Sequence, residues 1–458
     1  MTKKAKWGKG LAVILAGVIG LGVISGCSGG KSPAEGGEQV VRVWSNDAHS
    51  KELVTRMVAD YNNTTGKQEG IKIEYTVQGG DYWQALDMAL ETDQAPELFK
   101  VANNVRYMVM KDQLLPLEEL PGSQEFLKRY EGDLVDERNI VDGKTYHVPF
   151  MTTTLGLIYN KDMFKAAGIV DENGEALPPR TLEDVRNAAK KLTDPAKKVY
   201  GIALPMKWDE FYTWDVTTAF ASSIPNGSEF DFKNGTYDYS VMKPAFEFLL
   251  NIKEDETCFP GPEGLDNDAA RAQFSAGRVG MFLAASWDVG VFNEQFVADF
   301  DWGVVPSPVL DENQVYKQSS IAGPLLGVNA KAKKEDLEKI AKVYEWFNSP
   351  EFLSKMYEEG KYIPYDTEII EKTELKDSQK GWKEFADIVE ISYIEPAKPS
   401  LKIEGEEPIQ VYGKIWSGEY TIDEGLQILT DQSNRALEKA VSNGQINLDS
   451  FVNPDFKH

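Results

Sequence analysis

Two cysteines and three histidines among 458 residues exclude several chemistries at the outset. Cys27 sits at the end of an apolar leader, which leaves Cys258 alone, and one cysteine makes no intrachain disulfide. His49, His147 and His458 are too few and too far apart for a multi-histidine metal centre. The chain has no P-loop and no His-Glu-x-x-His. Its one Gly-x-Ser-x-Gly, Gly26 to Gly30, stands between no strand and helix and is not a nucleophile elbow. Basic residues are in the minority, 49 against 73 acidic ones, for a net charge of −24. Such a chain avoids nucleic acid and bare anionic lipid. Long apolar runs are also missing after residue 24, and the run from Leu11 to Ile24 falls short of the roughly 20 residues a membrane span needs.

That one run has another reading. Lys3, Lys4, Lys6 and Lys9 precede it, and small residues follow it, as in an export signal. Ile24-Ser25-Gly26-Cys27 resembles the bacterial lipobox, in which the chain is cut before the cysteine and the thiol carries a diacylglycerol. Residues 1–26 are therefore expected to be a signal peptide, with Cys27 lipidated, and 27–38 a flexible leash of Ser, Gly, Pro and Glu that has little to bury. Two acyl chains, at about 0.8 kcal/mol per buried CH₂, hold a soluble domain at a membrane firmly. The expected location is the outer face of the cell membrane, in a Gram-positive cell. The 432 residues after the leader exceed one hydrophobic core and predict two domains.

The first hundred residues after the leash alternate strand and helix patterns. Val40–Trp44 and Ile71–Val77 read as strands, Asp47–Tyr61 and Tyr82–Glu91 as helices, Glu97–Val101 as a third strand, and a further helix runs to Lys111. This β-α-β-α-β order predicts a mainly parallel sheet covered by helices. Leu155–Asn160 reads as a strand opening a second α/β region. Thr181 with Asp184, Ser349-Pro350, and Thr421 with Glu424 mark helix starts, and Gly444 marks a stop.

Eight segments in order resemble the family 1 extracellular solute-binding proteins, the sugar-binding group that includes maltose-binding protein. They are Val43–Asp47; Ala95-Pro96-Glu97-Leu98; Asp142-Gly143-Lys144-Thr145-Tyr146-His147-Val148-Pro149; Leu157–Gly168; Pro179–Asp184; Phe274–Phe282; Ser286-Trp287; and Trp302–Pro306. Leu182 and Asp184 depart from the usual tryptophan and glutamate. The resemblance implies a type II periplasmic-binding fold, α/β, with two lobes joined by hinge crossovers, each lobe a mixed, mainly parallel sheet flanked by helices. Matched by segment, one lobe takes 39–150 plus 304–350 and the other 151–303 plus 351–458. Crossings are expected near Pro149–Thr153, Val304–Pro306 and Asn348–Glu351. The implied function is capture of a carbohydrate by lobe closure and its delivery to the permease of an ABC importer, by a monomer without cofactor, metal or catalysis.

A buried sugar needs fixed acceptors and donors for its hydroxyls and flat rings for its C–H faces. The loops after the first three strands have that composition: Asn46 and Asp47; Gln78 to Trp83, with Asp81 and Trp83 foremost; and Asn103 and Asn104. Ligands of open α/β sheets bind at such strand ends. From the second lobe come Trp208, Asp209, Tyr212, Trp214, Trp287 and Asp288, with Tyr412 and Trp416 as a further platform. The resemblance places Asp47, Asn103, Asn104, Thr153, Asp209, Tyr212 and Trp287 at or beside ligand contacts. Thr153 stands where a maltodextrin binder has an acidic residue. Trp287 is the leading stacking candidate. Rival readings are a binder of a non-sugar solute such as a peptide or polyamine, a binder serving a sensor kinase, and an exported glycosidase, for which no carboxylate pair stands out.

Overall fold

Gln39–Ser45 is the central strand of the first of three four-stranded sheets in the computed structural model, which describes residues 38–101, 105–208, 210–313, 315–323, 326–375 and 380–458. Its residues alternate between core and partial exposure, with Val41 and Val43 fully inside. Ile71–Val77 and Leu98–Lys100 pair with it in parallel, and Leu326–Val328 adds an antiparallel edge beside Leu98–Lys100. Helix Lys51–Asn63 packs Leu53, Val54, Val58 and Tyr61 against this sheet. Helices Leu337–Phe347 and Pro350–Glu358 contribute Ile340, Tyr344, Phe352, Leu353 and Met356 to the same core.

The second sheet runs Trp302–Pro306, Leu155–Asn160, Val279–Ala285, Tyr200–Ile202. All six residues of Leu155–Asn160 are buried, as befits a central strand covered on both faces. It is antiparallel to both of its neighbours, and only the outer pair, Val279–Ala285 with Tyr200–Ile202, is parallel. The expected predominance of parallel pairing thus holds for the first sheet and not for the second, whose neighbouring strands both return to Leu155–Asn160 from the opposite end. Helix Leu182–Leu192 covers it, capped by the reciprocal Thr181–Asp184 bonds that the sequence predicts. Gly201 admits this helix closely: a Cβ there would lie 2.3 Å from the Cα of Ala189.

The third sheet joins the other two. Met151–Thr153 pairs antiparallel with Gln318–Ala322 and with Ile363–Pro364, and Ser392–Ile394 lies parallel to Gln318–Ala322. Gln318 ties the junction: its side-chain carbonyl accepts from the Ser307 N–H at 3.1 Å, and its amide donates to the Leu155 carbonyl. Two expected boundaries move accordingly. Trp302–Pro306 is wholly a strand of the second sheet, so the crossing expected at Val304–Pro306 lies instead at Gln318–Ala322. Pro350–Glu358 gives Phe352, Leu353 and Met356 to the first core and only Tyr357 to the second, so the chain does not leave that lobe at Asn348–Glu351. It touches the second core with Ile363, returns to the first with Ile369, joins the second with Trp382 and Phe385, and runs along the junction at Ser392–Ile394. Strand pattern and helix caps carry no mark of which sheet an element joins.

Candidate functional site

The turn after the central first-lobe strand carries Asn46 and Asp47. Asp47 is 5% exposed; it accepts from the Ser50 hydroxyl, and its own N–H donates to Ser45 Oγ at 3.1 Å. With Trp44, Tyr75 and Lys100 it lines a cavity of about 40 Å³ inside the lobe. Burial pushes the Lys100 ammonium down, opposed by the charge of Asp47, and burial pushes the Tyr362 hydroxyl well up, reinforced by Asp47. Asp47 is therefore held inside the first lobe, with one carboxylate oxygen engaged by Ser50. Asn46 differs, since its buried Oδ1 has no hydrogen-bond partner among the described residues. Asp81 is exposed at the start of helix Tyr82–Glu91 and makes no capping bond. Trp83 is 41% exposed and stands edge-on to Tyr82, whose hydroxyl donates to the Lys100 carbonyl at 2.6 Å. The anchored Tyr82 thus supports a tryptophan that remains open to solvent.

In the second lobe, Trp208, Asp215, Asn267, Trp287 and Asp288 line a recess of about 10 Å³ floored by Leu155 and Leu283–Ala285. A wide π-helical turn, Tyr212–Thr218, brings Asp215 there; Thr217 and Thr218 close it by donating to the carbonyls of Tyr212 and Thr213 at 3.0 and 2.8 Å. Such wide turns recur at functional sites. Asp288 is 2% exposed and already engaged: one oxygen pairs with the Arg271 guanidinium, and the other accepts from the Ala285 N–H at 2.9 Å. Through the Ala285 N–H it holds the turn that carries Trp287. Burial raises the Asp288 carboxyl; Arg271 opposes that rise, and so does His49 of the first-lobe turn.

Four of the expected contact residues are packed inside the protein. Tyr212, 8% exposed, packs among Phe211, Phe246 and Tyr412, and its hydroxyl is pushed up to about 12 by burial. Tyr412, at 7%, belongs to the same core. Trp416, at 5%, lies under Lys253 and donates its indole N–H to Glu263 at 2.6 Å. An amphipathic helix buries its aromatic face against its own lobe, and Pro408–Ser417 does so with both rings. Thr153 is 3% exposed within the junction strand, paired with Ile321. Asn103, Asn104, Asp209, the side chain of Trp214, and Cys27 lie outside the described residues.

A larger groove shares no lining residue with this recess. It measures about 850 Å³, in the range of small-molecule sites. Arg106, Tyr107, Met110, Glu137 and Arg138 line it from the first lobe, and Glu395, Lys398, Lys402, Gln445 and Phe451 line it beyond the junction. Arg106 pairs with Glu137, and Arg138 donates to the Glu395 carbonyl at 2.6 Å. Sequence reasoning missed this wall, as it did Asp215 and Asn267. The groove residues carry no motif, whereas Trp208, Trp287 and Asp288 of the recess are among the residues the sequence singles out, and Asp215 stands one residue beyond Trp214.

Comparisons with known proteins agree with this architecture. The chain is 24% identical over 414 residues to the maltotriose-binding protein of Pyrococcus abyssi, covering 88% of this chain and 81% of that one. It is 24% identical over 426 residues to the maltodextrin-binding protein MdxE of Bacillus subtilis, covering 90% of each. Among solved structures, the GacH receptor of Streptomyces glaucescens, determined unliganded and with acarbose, superposes with a TM-score of 0.67 at 19% identity over 88% of this chain and 98% of that one. Residues 49–353 match the family model of the bacterial extracellular solute-binding proteins, and the chain belongs to that family.

Proposed function

We propose that the protein captures an oligosaccharide between its lobes and presents it to the permease of an ABC importer, held at the outer face of the cell membrane by lipid on Cys27. The single observation that carries the reading is the pairing of two half-buried tryptophans, Trp208 and Trp287, with polar side chains around one recess. Flat rings with fixed hydrogen-bonding groups suit a sugar's two kinds of surface. Relatives named for maltotriose and maltodextrin support the same class of ligand.

A ligand held from both sides favours the closed arrangement, because only that arrangement completes its contacts. Micromolar affinity requires about −8 kcal/mol, which a few ring contacts and hydrogen bonds supply. No chemistry is asked of the site, and the solute leaves it unchanged.

The test is a thermal-shift scan with maltotriose, maltohexaose, raffinose, diacetylchitobiose and xylotriose, followed by calorimetry and product analysis on every hit. A midpoint that rises with saccharide concentration, without product, is the expected result. Turnover of a hit would replace the reading with a glycosidase. A shift with peptides, polyamines or sn-glycerol 3-phosphate alone would replace it with another solute. Intact-mass analysis of membrane-extracted protein checks the anchor: a diacylglycerol mass that Cys27→Ser abolishes is expected, and an unmodified Cys27 would remove the tether.

A further inference from the structure

Residues 443–458 turn back from the long helix Ile422–Ser442 and run along the second lobe to the junction sheet. Gly444, at a φ of 68°, ends the helix, and the Gln445 N–H donates back to the Ala440 carbonyl at 2.9 Å. Leu448 and Val452 then cover Gly235, where a Cβ would come within 2.7 Å of Val452. The Asn453 N–H donates to the Phe232 carbonyl at 2.7 Å. Past that bond the segment contributes two rings. Phe456 is 6% exposed; its ring centre lies 4.8 Å from that of Phe232 in the second-lobe core and 6.1 Å from that of Tyr393. His458 stacks on Tyr316 at 4.9 Å and lies 5.1 Å from Tyr393. Tyr316 stands two residues before the junction strand Gln318–Ala322, and Tyr393 is the middle residue of the junction strand Ser392–Ile394.

That last strand changes lobes between two neighbouring residues. Tyr393 packs against the second-lobe core, while Ile394 joins a first-lobe core with Val141 and Tyr146. Successive side chains of a strand point to opposite faces, which lets one strand serve both bodies. One residue further on, Arg138 of the first lobe holds the Glu395 carbonyl at 2.6 Å. On the second-lobe side, Gly227 admits Tyr393 closely, since a Cβ there would lie 2.1 Å from its hydroxyl oxygen, and the Tyr316 N–H donates to the Ser222 carbonyl at 3.0 Å. Gly323, where the other junction strand leaves for the first lobe, is open: a Cβ there would meet nothing within 4 Å.

We propose that residues 443–458 are a strap that fixes both junction strands to the second lobe, so that rotation of the lobes is confined to Ile394–Glu395 and the backbone around Gly323. The inference rests on the reading that the lobes close around a solute, and it names the part of the chain that bends. In a hinge a few residues absorb the change in backbone angles while the packed elements on either side move as bodies. Phe456 and His458 extend the second-lobe body over Tyr316 and Tyr393. With the strap loosened, bending spreads into the strands themselves. The lobes then sample more arrangements, and ordering them into the closed one costs more conformational entropy.

The experiment is hydrogen exchange of the full-length protein without ligand, read by mass spectrometry, alongside calorimetry with maltotriose. Phe456→Ala and His458→Ala are expected to speed exchange at least tenfold in residues 316–322 and 392–394, with Leu155–Asn160 as protected as in wild type. His458→Ala removes only the outer ring and carries the test if Phe456→Ala melts early. Trp416→Ala, a truncation in the same core away from the strap, should raise exchange around its own helix and leave the junction strands as in wild type. Junction strands that exchange as in wild type in the folded strap variants, or that speed up no more than Leu155–Asn160, would overturn the strap. Maltotriose affinity should fall severalfold in both strap variants, and equal affinity would overturn the link between strap and closure. The exchange measurement needs no ligand, so the strap stands or falls by it even if no saccharide binds.

Discussion

The ammonium group of Lys398 lies 3.0 Å from a carboxylate oxygen of Glu229 and 3.1 Å from one of Glu395. Glu395 and Lys398 follow the last junction strand, Ser392–Ile394, while Glu229 precedes the short second-lobe strand Phe230–Asp231. One lysine thus pins the final passage of the chain to the second lobe. The two carboxylates hold its pKa well above the usual lysine value, against burial. Lys398→Met leaves two poorly solvated carboxylates without their cation and should cost about 2 kcal/mol in urea unfolding, in the range of charged hydrogen bonds. Because the folded pKa is raised, the contribution is fully present below the unfolded lysine pKa of about 10.4 and is lost as pH rises through the higher folded value. The stability difference between variant and wild type should therefore be flat between pH 6 and 9.

His147 gives the opposite dependence, in the acid range. It is wholly buried, with Asn139 Nδ2 3.1 Å from its Nδ1, and desolvation together with Arg138 lowers its pKa to about 3. The unfolded chain takes up a proton near pH 6.5 that the folded one refuses. Stability should therefore fall as pH drops from about 6.5 toward 3, by about 2 kcal/mol at pH 5 from this group alone. His147→Gln should remove that component, measured as a flatter urea-midpoint profile between pH 7 and 5.

Trp287 is half-buried at the recess, and its truncation should act on binding rather than on folding. Trp287→Ala is expected to weaken saccharide binding by at least about 1 kcal/mol, with little change in the unliganded melting midpoint. Unchanged affinity by calorimetry would take this tryptophan out of the site.

Tyr412 and Trp416 should behave the other way round. Both lie in the second-lobe core, and Trp416 also loses its Glu263 partner when truncated. Either change to alanine should cost about 3–5 kcal/mol of stability. Saccharide affinity of the folded fraction should stay as in wild type. A selective loss of affinity without destabilisation would return these rings to the ligand.

Much of the local structure was legible in the sequence. Ile71–Val77 alternates, and it is a strand over those residues. Thr181 with Asp184 and Thr421 with Glu424 announce capping boxes, and both form. Periodicity and capping depend on side chains within a few residues of one another, so the chain by itself determines them. The same holds for the family, since eight short segments in order are a property of the string. Partners distant in sequence are another matter. Trp302–Pro306 reads as a strand in any sheet, and only its ladder to Leu155–Asn160 decides that it belongs to the second lobe. A tryptophan or tyrosine suits a sugar face and a core equally well, and the packing of helix Pro408–Ser417 against Phe246 and Tyr212 decided Tyr412 for the core. Asp215 passed unnoticed because a lone aspartate in a loop has no local signature. Its place beside Trp287 in one recess is something only the folded chain creates.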